Sequence, residues 1–235
     1  ERIQKYRRDL HQITELELEL PKTQRYLQEA LRDLPCTLSS PIPSSVVAFF
    51  DAGKKESIAF RSDMDALPVT EATGRAFASR HTGCMHACGH DGHMAMLLEF
   101  AHQLSTYYKE LPHNVVLIFQ PGEETPGGAE PMCKSGIFEQ YHIKRIFGFH
   151  VWPMLDKGVI ATRRNEFMAR SSEVNIDITG KSAHAAKYQE GIDAMEIAAR
   201  YLLDLYTMEQ EELSAETYRL LRFGLLKSGT VRNVV

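Results

Sequence analysis

The sequence predicts an α/β fold in which flanking helices cover a mainly parallel sheet, followed by a smaller α+β domain. Strand-length runs at 115–119 and 145–149 are nearly continuously apolar, and a helical pattern precedes them. Apolar strands of this kind are typical of parallel sheets, and helices between strands indicate a layered α/β fold. Because polar and apolar residues alternate only after about residue 165, we predict domains over 1–164 and 165–235.

The elements follow in chain order from local patterns. Apolar residues recur at helical spacing on both sides of Pro21, which predicts two amphipathic helices. Short β-rich runs at 46–50 and 57–60 enclose a turn-like segment and predict a hairpin or two adjacent strands. A helix capped by Asp91 should follow and reach Leu104.

The last third of the chain changes pattern. Alternation over 173–179 predicts a strand with one exposed face, and apolar spacing over 194–205 predicts an amphipathic helix. A second, polar helical segment should lead to a strand at 223–230. The chain ends on apolar residues without a stop signal, so we expect it to be truncated.

Composition narrows the range of partners. The 235 residues are 43% hydrophobic and 25% charged, and 27 Lys and Arg against 31 Asp and Glu leave a net charge of −4. This balance predicts no nucleic acid or anionic membrane surface as partner. Apolar runs fall far short of the roughly 20 residues that span a bilayer. We therefore expect no membrane segment, a cytoplasmic protein and a small-molecule partner.

Polar clusters stand directly after the predicted strands of the first domain. They are Asp63 and Asp65 after 57–60, Glu123 and Glu124 after 115–119, and His150 after 145–149. In open α/β sheets, ligands bind beyond the carboxyl ends of the strands. The sequence therefore predicts that these side chains meet in one crevice.

A further cluster, MHACGHDGH at 85–93, precedes the predicted helix. Thiolate, imidazole and carboxylate together suit a borderline cation such as Zn²⁺ or Mn²⁺. We expect Cys88 and His90 to be metal ligands, with His86 and His93 as supporting or structural residues. The adjacent Glu123 and Glu124 lie on a loop, so one can bind metal while its neighbour takes a proton from water. Taken alone, this pair would be an exposed acidic turn.

Four ordered motifs carry a specific resemblance: RSDMDALP at 61–68, MHACGHD at 85–91, FQPGEE at 119–124 followed by GGA at 127–129, and FGFHV at 147–151. Together they resemble the aminoacylase and carboxypeptidase G superfamily of dinuclear metal amidohydrolases. The Cys-Gly-His-Asp variant is similar to the branch of hippurate hydrolase, indole-acetyl amino acid hydrolases and N-acetyldiaminopimelate deacetylase.

This resemblance implies a fold of the metal-dependent exopeptidase type that holds two divalent metal ions per subunit. The implied metal ligands are Cys88, His90, Glu124 and His150, with Glu123 as general base and Asp65 orienting and tuning the site. A last His ligand is expected beyond the end of this chain. Mn²⁺ or Zn²⁺ would be the metal, with Ni²⁺ also permitted.

The resemblance extends to the second domain as a lid that forms a homodimer. GKSAHA at 180–185 resembles a segment whose histidine, here His184, reaches the partner's active site and assists catalysis. GTVRN at 229–233 resembles a segment whose asparagine, here Asn233, contacts substrate. On local pattern alone both would be ordinary turn or strand-end residues.

The implied activity is hydrolysis of the amide bond of N-acyl amino acids, with an N-acetyl or aromatic acyl group, by a metal-activated water. A dipeptidase or carboxypeptidase of the same superfamily is an alternative. A metal-stabilised binding module without turnover is another, and a thiol hydrolase with Cys88 as nucleophile is a third.

Overall fold

The computed structural model describes residues 1–168, 172–214, 216 and 219–235. The chain divides into two compact units, 1–157 and 158–235. The first unit thus ends a few residues before the boundary expected from the sequence.

The first unit alternates helices and strands. Its elements are α1 (Arg2–Gln12), α2 (Pro21–Leu31), β1 (Thr37–Ser39), β2 (Val46–Phe50), β3 (Ser57–Asp63), α3 (His90–Leu104), a 3₁₀ turn (Tyr108–Glu110), β4 (Asn114–Gln120), α4 (Ala129–Lys134), α5 (Ile137–Gln140) and β5 (Ile143–Gly148). Both N-terminal helices are as predicted, and Pro21 occupies the first turn of α2, where its missing N–H costs nothing.

The five strands form one sheet in the order β1-β2-β4-β3-β5. Strand β2 is antiparallel to β1 and β4, whereas β3 is parallel to β4 and β5. Four of the five strands therefore run in one direction, which confirms the mainly parallel sheet. The expected hairpin or adjacent pairing of 46–50 with 57–60 is wrong, because the wholly buried β4 lies between them.

Strand β5 differs from β4 although both were expected to be buried on both faces. Ile146 and Phe147 remain 47% and 45% exposed. In the first unit β5 pairs only with β3, so it is an edge strand of this sheet. The expectation of burial was correct for β4 and wrong for β5.

The core lies on both faces of the sheet, because successive residues of β4 point to opposite sides. Val115, Leu117 and Phe119 pack with the apolar faces of α1, α2 and α3. Val116 and Ile118 pack on the other side, with Met132 and Ile137 from α4 and α5.

The second unit contains a 3₁₀ segment (Ala185–Glu190) and one long helix, α6 (Ala194–Glu211), which the sequence predicts. Asp193 caps α6 by accepting hydrogen bonds from two backbone N–H groups. The strands expected over 173–179 and 223–230 are not formed among the described residues, since no neighbouring strand offers them backbone partners. Isolated bridges join Lys181 to Ile192 and His184 to Val234.

Within the described ranges, no helix combines the length and the apolar character needed to cross a membrane.

Candidate metal centre

The carboxyl ends of β3, β4 and β5 bring the strand-end side chains together, as the sequence predicts. Asp63, the last residue of β3, is in register with Gln120, the last residue of β4. The loops that leave this edge carry most of a group that we call the donor cluster. It consists of Cys88, His90, Glu123, Glu124 and His150.

The donor cluster comprises two overlapping groups that share His90. In the group Cys88, His90 and His150, and again in His90, Glu123 and Glu124, one ligand atom from each residue lies within 4.8 Å of the others. A third group, Asp63, His90 and His93, meets the same limit. This edge of the sheet therefore gathers thiol, imidazole and carboxylate donors around one histidine.

Asp65 fixes the acidic loop through the backbone. Its Oδ1 accepts a hydrogen bond from the backbone N–H of Glu123 at 2.9 Å, and its Oδ2 accepts one from Glu124 at 3.0 Å. Asp65 itself is buried. A buried carboxylate that satisfies two consecutive N–H groups holds both glutamates in place without using their side chains.

The tautomer of His90 follows from its neighbour. Nδ1 lies 2.8 Å from the backbone carbonyl oxygen of Asp65, which can only accept, so Nδ1 carries the proton. In the neutral ring Nε2 is then a lone-pair donor to a cation, and it lies 3.8 Å from both Glu123 and Glu124. This arrangement is typical of imidazoles that bind metals.

Cys88 and His150 form the other side of the cluster. The Cys88 thiol donates to His150 Nε2 at 3.3 Å, and His150 Nδ1 donates to the carbonyl of Val151 at 2.7 Å. Burial raises the pKa of Cys88 to about 12, and the charges of Glu124 and Glu123 act in the same direction. The thiol is therefore protonated in the metal-free protein, which weakens the thiol-hydrolase alternative.

Gly89 allows the start of α3 to approach Val151 closely. It has a φ of +93°, and a Cβ added there would lie 2.5 Å from a methyl group of Val151. Both the left-handed backbone and the contact require glycine. Gly89 is also the N-cap of α3, so the expected cap by Asp91 is wrong. Asp91 lies in the first turn and binds other side chains instead.

His93, one turn along α3, links two strand ends. Its Nδ1 donates to Asp63 at 2.7 Å, and its Nε2 accepts the backbone N–H of Val151 at 2.9 Å. Burial opposes ionisation of Asp63, but the His93 hydrogen bond and the charges of His90 and Arg61 lower its pKa to about 2. His93 thus connects an ionised carboxylate to the segment that carries His150, a supporting role that agrees with its expected one.

The two adjacent glutamates occupy different environments. The Glu123 side chain is 42% exposed, whereas that of Glu124 is 24% exposed. Burial, with the nearby charges of Asp63 and Glu124, raises the pKa of Glu123. Glu124 has a buried carboxylate oxygen, Oε1, without a hydrogen-bond partner. One carboxylate is therefore accessible and the other is partly sequestered.

A separate buried group lies behind the first turn of α3, and we call it the acid–histidine network. It consists of His11, Glu71 and Asp91. His11 Nδ1 bonds Asp91 at 2.8 Å and His11 Nε2 bonds Glu71 at 3.3 Å. The hydrogen bond to Asp91 outweighs burial and raises the pKa of His11. His86 packs beside it, and burial lowers the pKa of His86 to about 4.

The donor cluster fits a divalent cation by its own geometry. His90 Nε2 and Glu124 Oε1 are buried polar atoms without hydrogen-bond partners, and both belong to the cluster. Such atoms are costly unless something satisfies them. A cation would do so, because both atoms are lone-pair donors.

His184 and Asn233 belong to the second unit and are near each other in the chain fold. His184 accepts the backbone N–H of Ala186 through Nδ1, and the Asn233 carbonyl accepts the N–H of Ala185. Their proposed roles toward substrate remain predictions.

Sequence reasoning missed the connections that support the cluster. Arg61 bridges two strand ends, donating to Asp63 at 2.9 Å and to Gln120 at 3.0 Å. The signal was available in Gln120, a polar residue that ends an otherwise apolar strand. The acid–histidine network was also missed, because His11 is far from its partners in sequence.

An α/β layer whose strand ends gather paired carboxylates, imidazoles and a thiol offers the donors that a divalent metal ion needs. Residues 59–220 match the model of Peptidase family M20/M25/M40, and the chain belongs to that family.

Relatives and solved structures agree with this assignment. An uncharacterized hydrolase of Staphylococcus epidermidis is 38% identical over 98% of this chain and 61% of its own length. A Staphylococcus aureus crystal structure covers 99% of this chain and 62% of its own, with a TM-score of 0.80 and 28% identity. A Bacillus subtilis protein, described as a dinuclear metal binding peptidase from the M20 family, has 35% identity and a TM-score of 0.61 over 66% of this chain and 44% of its own. The chain spans about 61% of the length of the curated relatives it matches.

Proposed function

We propose that this protein is a metal-dependent amidohydrolase that cleaves the amide bond of N-acyl amino acids, with an N-acetyl or aromatic acyl group. The observation that carries the proposal is the unlike pair of glutamates beside the buried His90. Glu123 is accessible and has a raised pKa, while Glu124 offers an unpartnered oxygen. One carboxylate can thus transfer protons while its neighbour binds metal.

The residues that would hold two divalent ions are Cys88, His90, Glu124 and His150. The thiolate favours Zn²⁺, whereas the carboxylates also suit Mn²⁺, and Ni²⁺ is permitted. The dinuclear metal binding peptidase of Bacillus subtilis supports two ions per chain. When bound, such ions would polarise the amide carbonyl and make water more acidic.

Glu123 would act as general base and then as general acid. It would take the proton of the attacking water and hand it to the leaving amine. Asp65 would keep it in reach, since it holds the backbone of both glutamates. This role needs a side chain that exchanges protons with the crevice, and the exposure of Glu123 supports it.

The second unit would serve as lid and dimerisation domain. His184, from a partner subunit, would donate to the oxyanion that develops during attack, and Asn233 would contact substrate. A homodimer is supported by the apolar surface of α6, where Ile197 is 43% and Leu203 is 67% exposed. The motifs at 85–91 and 119–124 further support the Cys-Gly-His-Asp branch of the superfamily.

The Bacillus subtilis protein is described as a peptidase, which favours one alternative, a dipeptidase or carboxypeptidase. The two substrate classes differ only in whether the acyl side carries a free amine. A binding module without turnover is the remaining alternative.

The test uses full-length protein that is stripped of metal and resupplied with Mn²⁺, Zn²⁺ or Ni²⁺. We expect metal to restore release of free amino acid from N-acetyl or N-benzoyl amino acids. Cleavage of dipeptides alone would favour the peptidase, and metal binding without cleavage of either class would favour the binding module.

A further inference from the structure

An open cavity of about 850 Å³ lies beside the donor cluster in the first unit. Cys88 and His150 form part of its wall, so a molecule that reacts at the cluster can extend into it. The cavity is large enough for a substituted aromatic ring. The chemistry of its other lining residues therefore helps to determine which substrates bind.

The charged walls of this cavity are predominantly basic. Arg7, Arg8 and Arg75 line it, and Glu71 is the only carboxylate among its lining residues. Glu71 is already engaged by His11 and by the backbone N–H of Ser79. Its charge is thus largely compensated within the acid–histidine network.

Two of the three guanidinium groups are available to a ligand. Arg7 is committed, because it donates to Asp91 at 3.1 Å. Arg8 and Arg75 form no ion pair with any residue that the structure describes. A planar guanidinium without a carboxylate partner is well suited to bind one from a ligand.

The other walls are apolar and aromatic. Phe77 lies under the guanidinium of Arg8, with 5.4 Å from its carbon to the ring centroid. Trp152 and Met154 also line the cavity and are 53% and 85% exposed. An aromatic group can contact these side chains while a carboxylate on it reaches the arginines.

From these features we infer that the cavity binds a carboxylate-bearing apolar or aromatic part of the substrate, held by Arg8 and Arg75 against Phe77 and Trp152. The substrate class is then an N-acyl amino acid with a negative charge on the half that enters this cavity. The inference rests on the proposed function for its link to catalysis. The carboxylate belongs either to the acyl group or to the amino acid.

Binding can be measured without turnover, because Trp152 lines the cavity and its emission responds to a ligand beside it. Metal-free full-length protein is titrated with terephthalate, a dianion, and with terephthalamide, its neutral counterpart, while tryptophan emission is recorded. Trp152→Phe shows whether the signal comes from this cavity. We expect terephthalate to bind the more tightly and its signal to vanish in Trp152→Phe.

The arginines are tested by the double variant Arg8→Gln with Arg75→Gln. Its matched control is Arg25→Gln, an exposed arginine on α2 outside the cavity. Exposed charge pairs are individually weak, so we expect the dissociation constant of terephthalate to rise about fivefold in the double variant. The control should not change it. Equal binding of terephthalamide, or an unchanged double variant, would overturn the inference.

Two substrate pairs distinguish the sources of the carboxylate. N-(4-carboxybenzoyl)glycine against N-(4-methylbenzoyl)glycine tests the acyl half, and N-benzoylglycine against its amide tests the amino acid half. In one of these pairs the double variant should no longer prefer the anionic substrate over the neutral one. The half of the substrate that differs within that pair is the half that enters the cavity. If neither preference changes, the inference is wrong. If no substrate is cleaved but terephthalate still binds through the arginines, the proposed function fails and the anion site stands.

Discussion

Two polar groups meet at the start of α3, and they differ in how their members are paired. In the acid–histidine network, His11 lies between two carboxylates and its pKa is raised. In the donor cluster, the Nδ1 protons of both histidines go to backbone carbonyls, which leaves both Nε2 atoms toward the other donors. The same residue types thus form a closed ion pair in one place and an open set of ligands in the other.

The difference in pairing separates residues that stabilise the fold from residues that are available for chemistry. In the acid–histidine network His11 pairs with both carboxylates, and Asp91 Oδ1 is the one buried side-chain oxygen of the three residues without a hydrogen-bond partner. This pairing of charges stabilises the native state. The donor cluster leaves buried atoms such as His90 Nε2 without a hydrogen-bond partner, and a bound cation would satisfy them. Substitutions in the two groups should therefore affect different quantities.

The largest effect is expected in the donor cluster. Glu123→Gln removes the proton acceptor but keeps the shape of the side chain, so turnover should fall by about 10²- to 10⁴-fold. Metal content, measured on the purified variant by elemental analysis, should stay at the wild-type level. The matched variant is Glu124→Gln, which should lose metal together with activity. Loss of metal from both variants would contradict the division of roles.

A smaller effect, on metal affinity, is expected at His93, which connects the end of β3 to the segment after β5. His93→Phe keeps a ring but removes the hydrogen bonds to Asp63 and to the Val151 N–H. Metal affinity should fall by roughly 10- to 100-fold, as for other residues that orient ligands. Competition with a chelator measures it. His102→Phe, on the same helix and bonded to Tyr6, should leave the affinity unchanged.

The acid–histidine network should respond in stability instead. His11→Leu leaves Asp91 and Glu71 without their buried partner, so the free energy of unfolding should fall by about 1–3 kcal/mol. Metal affinity should not change. Urea unfolding of the variant and the wild type measures the difference, and a variant as stable as wild type would show that the network is not stabilising.

The pairing of His11 with Asp91 also predicts that the free energy of unfolding depends on pH. The pKa of His11 is raised above its usual value near 6.5, so its contribution is present below that pH and is lost as pH rises through the raised pKa. The pKa of Asp91 is lowered by His11 despite burial, so its contribution is lost only as pH falls below about 3.8. The stability gap between wild type and His11→Leu should be widest between about pH 4 and 6.5. A gap independent of pH would contradict this pairing.

The smallest effect is expected for an exposed ion pair. Arg2 donates to both oxygens of Glu99 at 2.8 Å, but its side chain is 48% exposed. Arg2→Gln should cost less than about 1 kcal/mol, and high salt should remove the difference. An effect as large as that of His11→Leu would show that burial does not distinguish the two pairs.

Sequence patterns predicted what depends on local periodicity. The helices α1, α2, α3 and α6 and the buried β4 follow from apolar spacing, and the strand-end rule placed Glu123 and His150 in one crevice. Pairing order could not be predicted, because the position of β4 between β2 and β3 depends on contacts distant in sequence. For the same reason the links from His93 to Val151 and from His11 to Asp91 became visible only in three dimensions.

In the second unit a local pattern predicted an element that does not form. Alternation over 173–179 predicts a strand, yet a strand forms only where a neighbour accepts its backbone hydrogen bonds. The described residues of this unit supply two isolated bridges and no such neighbour.

The central claim is that the donor cluster binds divalent metal through Cys88. The most direct test is a titration of metal-free full-length protein with Co²⁺, followed by the near-ultraviolet absorption of thiolate-to-cobalt charge transfer. We predict a band that saturates as metal binds and that is absent from Cys88→Ser. A protein that binds Co²⁺ without this band, or a band that persists in Cys88→Ser, would contradict the account.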